Sequence, residues 1–319
     1  MRVLVTGATG FIGMSCAWKF HAKGWDVIAT GRNEDSWAKS GVSDVPFIRC
    51  NLSDLNDRSK LPKEVDCIIH CAALSSPWGS RAMFELSNIV ALKNVLAGTK
   101  SGRFVHVSTS AVNFSYSSRT NETENSRSMT PAPNHYVRTK RIAEGLVMQG
   151  GRQYVILRPH AVIGLGDTSI VPRVMRLAKK GILPLIGPDI RLDLTHVSDL
   201  AEAVYLAAMV PEAATNCYNI SGGSPISRYA AFEALFRAAG KKVRYIQLPY
   251  HAAMGAANTL ELMSHMLTFG RWEPPITRFS ASEISHEITL NITKATKQLG
   301  YTPRCNILDE LHRIGQLWK

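Results

Sequence analysis

Tyr136 and Lys140 stand four residues apart in Tyr136-Val-Arg-Thr-Lys140, at the start of a helical segment, and so share one helix face. Upstream, Phe104-Val-His-Val-Ser-Thr-Ser110 ends an apolar run in three hydroxyls, Ser108, Thr109 and Ser110. Hydroxyls that follow a buried strand and a phenol–ammonium pair on a helix are the groups with which a protein moves a proton. A second kind of chemistry is written at the N-terminus, in Val3-Leu-Val-Thr-Gly-Ala-Thr-Gly-Phe-Ile-Gly13. Gly7 permits a tight turn, Gly10 a close approach of the backbone to a pyrophosphate, and Gly13 close packing of helix on strand. The free N–H groups and positive dipole end of the following helix then receive the phosphates.

These residues need a frame to hold them. Val3–Val5 reads as a buried strand and Phe11–Lys23 as a helix; Trp25–Ala29, Phe47–Arg49, Cys67–Cys71, Phe104–Val107 and Tyr154–Leu157 follow as further strands. Such alternation predicts a doubly wound parallel α/β Rossmann sheet with right-handed crossovers. Ligands then bind beyond the carboxyl ends of the strands. There the chain places Gly31 and Arg32, Asn51, and His70-Cys-Ala-Ala73, of which His70 reads as packed rather than catalytic. An NAD site usually has a carboxylate after the second strand; here Gly31 leaves room and the Arg32 fork fits a 2′-phosphate, which favours NADP over NAD.

Taken in order, T-G-A-T-G-F-I-G, H-C-A-A, V-S-T-S-A-V and Y-x-x-x-K resemble an extended short-chain dehydrogenase/reductase over essentially the whole chain. Arg158-Pro-His-Ala-Val-Ile-Gly-Leu-Gly-Asp167, Leu194-Thr-His-Val-Ser-Asp199 and Tyr218-Asn-Ile-Ser-Gly-Gly223 resemble that family's later motifs. The resemblance implies Tyr136 as catalytic acid/base, Lys140 as the group that lowers its pKa and binds the nicotinamide ribose, Thr109 as the hydroxyl partner, and Asn88 as the helix asparagine. Ala91 and Leu92 replace the family's Gly-Thr after it. Cofactor contacts are implied for Gly7, Gly10, Phe11, Ile12, Gly13, Arg32, Asn51, Leu52, Cys71, Ala72, Ala73, Ser108, Pro159 and His160, besides Tyr136 and Lys140. Asn51 stands where the family usually has an adenine-binding aspartate. No metal site is implied. Pro77-Trp-Gly79, together with the tail from Pro274-Pro-Ile-Thr-Arg278 to Leu299-Gly-Tyr-Thr-Pro303, resembles the branch of 3β-hydroxysteroid dehydrogenases, sterol dehydrogenases and 2-alkyl-3-oxo-acid reductases.

The expected activity is therefore NAD(P)-dependent hydride transfer to or from a carbonyl or secondary alcohol of a hydrophobic small molecule. The alternatives are a nucleotide-sugar epimerase, dehydratase or reductase, and a non-catalytic cofactor-sensing or RNA-associated protein. The intact Thr109, Tyr136 and Lys140 set speaks against the last. The Rossmann domain is expected over 1–222, with 161–190 lending to a smaller substrate lobe formed mainly by 223–319. Arg173, Arg176, Arg191 and His160 lie near the loops that cap the site in relatives, as partners for a substrate anion or as surface charge.

Composition narrows the rest. Lys and Arg number 37 against 25 Asp and Glu, a net +12. No dense basic run or RNA-type aromatic motif accompanies that charge, so no nucleic-acid partner is expected. Six cysteines lack C-x-x-C spacing and read as free thiols of a reducing, cytoplasmic compartment. No 18-residue uncharged apolar run exists, and Val3–Val5 reads as a core strand rather than a signal peptide. The Met-, Ala- and Leu-rich segment Leu248–Phe269 suits the wall of an apolar pocket, peripheral contact with a membrane, or an ordinary lobe helix. A homodimer is expected by analogy, through segments Phe84–Leu96 and His135–Met148.

Overall fold

The computed structural model describes residues 1–42 and 44–318. Seven strands form its central sheet: β1 (Arg2–Thr6), β2 (Asp26–Gly31), β3 (Phe47–Arg49), β4 (Glu64–His70), β5 (Lys100–Val107), β6 (Gln153–Pro159) and β7 (Asn216–Ile220). They lie in the order β7-β6-β5-β4-β1-β2-β3, and every pairing is parallel. The chain runs outward from β1 to β3, then returns to the other side of β1 with β4. That reversal opens a crevice at the carboxyl ends of β1 and β4.

Alternation along β1 feeds two cores, since successive strand residues face opposite ways. Val3 and Val5 pack with Cys16, Ala17 and Phe20 of helix α1 (Phe11–Ala22) and with Leu200, Ala203 and Val204 of helix Val197–Met209. Leu4 faces the other layer, with Ala91, Leu92 and Val95 of helix α2 (81–98) and Ala143 and Val147 of helix α3 (His135–Gln149). Parallel strands buried on both faces are continuous apolar runs, which is why they are readable as sequence.

The lobe is more interleaved than its expected boundaries. A four-stranded sheet takes Ile226–Ser227, Arg191–Leu192, Ile288–Leu290 and, from the first half of the chain, Arg119–Glu122. Residues 293–301, assigned by sequence to the lobe, return to the main core, where Ala295, Leu299 and Tyr301 are buried against the sheet side. The lobe has its own core of Val171, Met175, Leu183, Leu235, Leu311 and Ile314. Its longest helix, α4 (Tyr250–Thr268), runs along the outside. Among the described residues no helix is long and apolar enough to cross a membrane.

Candidate active site

The turn after β1 is set by contacts that no side chain could share. Gly7 has φ 66°, and a Cβ on it would lie 2.8 Å from the Ala72 Cα and N. A Cβ on Gly13 would overlap the Gly7 carbonyl oxygen. Helix α1 starts at Gly10 with no side-chain cap and no acid in its first turn, so its leading N–H groups face the crevice free of a protein anion. That vacant positive end fits a pyrophosphate. Ala72 and Ala73 lie across from it, and Phe11 packs beside Gly164 and Gly166 of the lobe. Cys71 is half-buried, with its sulfur 4.0 Å from that of Cys16.

The cleft beyond the ends of β2 and β3 has a charge pattern that sequence reading caught only in part. Register pairs Gly31 of β2 with Arg49 of β3, so Arg32 and Arg49 flank one cleft. It holds about 460 Å³ and is completed by Asn51, Asp57 and Lys60. The only acid there, Asp57, is held below the usual carboxylate range by Lys60, 2.5 Å away, and by the Asn51 N–H. A Cβ on Gly31 would meet the Thr9 hydroxyl at 2.8 Å, so the glycine serves the turn as well as leaving room. The Asn51 amide oxygen accepts from the Ser53 N–H at 3.2 Å. Leu52 is buried, and its carbonyl accepts from Asn94 at 2.9 Å.

At the other end Tyr136 sits in an apolar wall with Phe114, Val137 and Phe279, and Phe84 lies 6.4 Å away ring to ring. Burial pushes its phenol above the ordinary value, while the neighbouring Thr109 and Ser75 hydroxyls pull the other way. Tyr136 is therefore a protonated phenol at neutral pH. Ser75 escaped sequence reading, for nothing distinguishes it from any loop serine. Its position is set by Asn88, whose amide accepts from the Leu74 N–H at 2.6 Å and donates to the Leu74 carbonyl at 3.2 Å and to Thr139 at 3.0 Å. A single π turn, Leu86–Val90, interrupts α2 at that asparagine. Asn88 thus positions the loop after β4 against the helix that carries Tyr136.

Lys140 is buried, and its described partners lie on β5. Its ammonium donates to the Val107 carbonyl at 2.7 Å and lies 3.5 Å from His106, and burial lowers it to about 8. His106 stacks on His70, which bonds Thr6 at 2.9 Å; burial first, then Lys140, drives both imidazoles down, His70 to about 3. Ser108, expected at the cofactor, points beneath the site instead and donates to Glu144 at 2.5 Å. Pro159 is buried, and His160 pairs with Ser110 at 2.8 Å.

Two lobe arginines are already committed: Arg173 to Glu273, and Arg191 to Glu287 at 2.9 Å. Arg176 is exposed. An unforeseen buried cluster lies near Tyr136, in which Arg119 binds Glu122 at 2.9 Å and Glu283 at 3.1 Å. Burial lifts Glu283 to about 7. Among the described residues no group of His, Cys, Asp and Glu could hold a metal ion.

Comparison with known proteins gives the family and the fold. The model of the NAD dependent epimerase/dehydratase family matches residues 3–221. The 2-alkyl-3-oxoalkanoate reductase of Stenotrophomonas maltophilia is 29% identical, with 98% of each chain covered. A 4-hydroxy-2-methyl-3-oxo-4-farnesyl-3,4-dihydroquinoline-1-oxide ketoreductase of Stigmatella aurantiaca is also 29% identical, over 99% of this chain and 97% of that one. Among solved structures, MoeE5 in complex with UDP-glucose and NAD superposes with a TM-score of 0.76 at 22% identity, covering 100% of this chain and 98% of that one.

Proposed function

Since the chain belongs to the NAD-dependent epimerase/dehydratase family, we propose that it is an NADP-preferring reductase of a carbonyl in a hydrophobic substrate, sterol-like or a 3-oxo acid. The observation that carries the reading is Tyr136: a phenol kept protonated by burial, beside the Thr109 and Ser75 hydroxyls and walled by Phe114 and Phe279. The nicotinamide, when bound, supplies or accepts the hydride. The chain's own residues do the rest. Tyr136 delivers a proton to the carbonyl oxygen, and Thr109 and Ser75 supply hydrogen bonds to the charge that develops there. A raised phenol pKa favours this direction, since the group arrives carrying its proton. Asn88 holds Ser75's loop in register, and Lys140 secures the end of β5 through the Val107 carbonyl.

Preference for NADP rests on Arg32 and Arg49 at one cleft, where the sole acid is neutralised by Lys60. Two guanidinium forks suit a 2′-phosphate far better than a bare ribose. The apolar wall around Tyr136, and the commitment of Arg173 and Arg191 to acids, favour an apolar substrate over a nucleotide diphosphate. Six free cysteines suit a cytoplasmic setting. A homodimer would use α2 and α3, on which Met83, Leu86, Ile142 and Met148 remain exposed.

Fluorescence titration with NADPH and NADH, on wild type and Arg32→Ala, tests the reading. Wild type should prefer NADPH, and the variant should lose about 10- to 100-fold in NADPH affinity with NADH unchanged, as expected for losing a charge-assisted bond. Equal affinities in wild type would overturn the NADP assignment. Absence of NADPH oxidation with any 2-alkyl-3-oxo acid or oxosteroid, alongside turnover of a UDP-sugar, would overturn the substrate class.

A further inference from the structure

Helix α4 contributes little to either core: of its 19 residues only Ala253, Ala257 and Ser264 are buried. Its last turns and the segment behind them carry Leu262, Met263, Met266, Leu267, Phe269 and Trp272, all exposed. Met266 and Leu267 are 70% and 72% exposed, and Phe269 is 88% exposed. Soluble proteins seldom leave so many large apolar groups together in water without a use for them.

The backbone beneath this knob is firmly built. Phe269 takes the left-handed conformation, φ 52°, and Gly270 follows at φ 76°, reversing the chain. The reversal is pinned by Ser264 donating to the Trp272 carbonyl and by the Trp272 N–H donating to Thr268 at 3.0 Å. From outside the helix, the Trp78 indole donates to the Gly270 carbonyl at 2.9 Å and packs its ring 4.9 Å from that of His265. Trp78 follows Ser75, whose hydroxyl neighbours Tyr136, by three residues. One side chain therefore joins the knob to the wall of the candidate active site.

Charge completes the picture. Both acids between residues 250 and 278 are occupied, Glu261 by Arg278 at 2.8 Å and Glu273 by Arg173. Arg271 is exposed and has no acidic partner among the described residues, and the chain as a whole carries +12. At the border of the apolar knob, Arg271 is the cation left without an acidic partner among the described residues.

We propose that the 262–272 knob docks on an anionic lipid surface, seating Met266, Leu267 and Phe269 at the headgroup–acyl boundary with Arg271 among the headgroups. Side chains exposed by 70–88% stand clear of the protein on nearly every side. Such protrusion suits a fluid interface that closes around them, whereas a groove for a protein partner would already flank them. The unneutralised cation matches the negative potential of anionic lipids. The proposal is independent of which carbonyl the enzyme reduces.

Co-flotation of the full chain with vesicles of three parts phosphatidylcholine to one part phosphatidylglycerol tests it, with pure phosphatidylcholine vesicles as reference. The variant is Leu267→Gln/Phe269→Asn, because asparagine accepts the left-handed backbone that Phe269 holds. Wild type should float with the anionic vesicles, bind pure phosphatidylcholine at least about tenfold more weakly, and be released by salt. The double variant should lose at least about tenfold in anionic-vesicle binding with unchanged NADPH affinity and melting temperature. Wild type that stays in solution, or a variant that floats equally well, overturns the proposal. So does a wild-type oligomer that the variant converts to a smaller species with no difference in flotation, which would assign the knob to a second copy of the chain.

Discussion

On the cofactor side of the cleft, a Cβ added to Gly7 would lie 2.8 Å from the Ala72 backbone, and one added to Gly13 would overlap the Gly7 carbonyl. In helix α4 of the lobe, a Cβ on Gly255 would meet nothing within 4 Å. One region is shaped by side chains that are missing, the other by side chains present in surplus, as Met266, Leu267 and Phe269 are. A ligand of fixed shape, such as a dinucleotide, is received by backbone, and backbone can approach only where nothing projects. A variable apolar substrate or a lipid surface is received by side chains, which can be exchanged one at a time. The first kind of site is rigid in sequence and the second is free to drift.

The largest effect that would sharpen this contrast is on chemistry. Tyr136→Phe keeps the ring and its apolar wall but removes the proton, so kcat should fall by about 10²–10⁴-fold while NADPH affinity stays the same. Stopped-flow and steady-state rates with a turned-over ketone would read it; activity near wild type would remove Tyr136 from the reaction.

Next come the same substitution on the two sides. Gly13→Ala should cost about 1–3 kcal/mol by overpacking and weaken NADPH binding as α1 is pushed off β1. Gly255→Ala should instead raise stability by about 0.5–1 kcal/mol, since alanine is the better helix former and has open space there. Urea titrations of both compare the signs directly. Two losses of equal size would break the distinction between the regions.

A further effect, read as a pH dependence, comes from the imidazoles beneath Lys140. His70 is buried neutral and takes no proton until about pH 3, whereas in the unfolded chain it would titrate near ~6.5. Its folded pKa is depressed, so the unfolded state binds the extra proton between those values, and stability present above about 6.5 is lost as pH falls. At pH 5.5 the loss from His70 is about 1.4 kcal/mol, with His106 acting in the same direction. Glu283, raised by burial, opposes this over its own window, from its unfolded value near ~4.3 up to about 7. Histidine ring resonances followed from pH 8 to 5 should show His70 and His106 untitrated; normal titration of either would place it outside the floor.

What the sequence made legible follows the same divide. The glycine turn, the parallel strands and the crevice they imply were readable because each demands a residue type at a spacing. Strand limits moved by a few residues, as with Glu64–His70 for the expected Cys67–Cys71. Arg49 and Ser75 were not readable: the first depends on the register of β3 against β2, the second on the Asn88 clamp. The edge strand Arg119–Glu122 is Arg-Thr-Asn-Glu, without the apolar alternation by which strands announce themselves. Arg119 and Glu283 meet across 164 residues, a distance no local pattern spans. Lys140's turn toward Val107 is likewise a matter of tertiary packing, since helix spacing fixes its face but not where its long side chain reaches.

The return of residues 293–301 to the main core bears on how the molecule is made. By the time β7 leaves the ribosome all seven strands exist, yet the place filled by Ala295, Leu299 and Tyr301 is still open, and the lobe still lacks the Leu311 and Ile314 that close its own core. The nascent sheet must wait some eighty residues for the last part of its cover, a synthesis interval of about 4–16 s during which the apolar surface beside β7 is incompletely covered. A change that slows translation between β7 and Tyr301 should therefore lower the yield of a protein whose finished stability it leaves untouched.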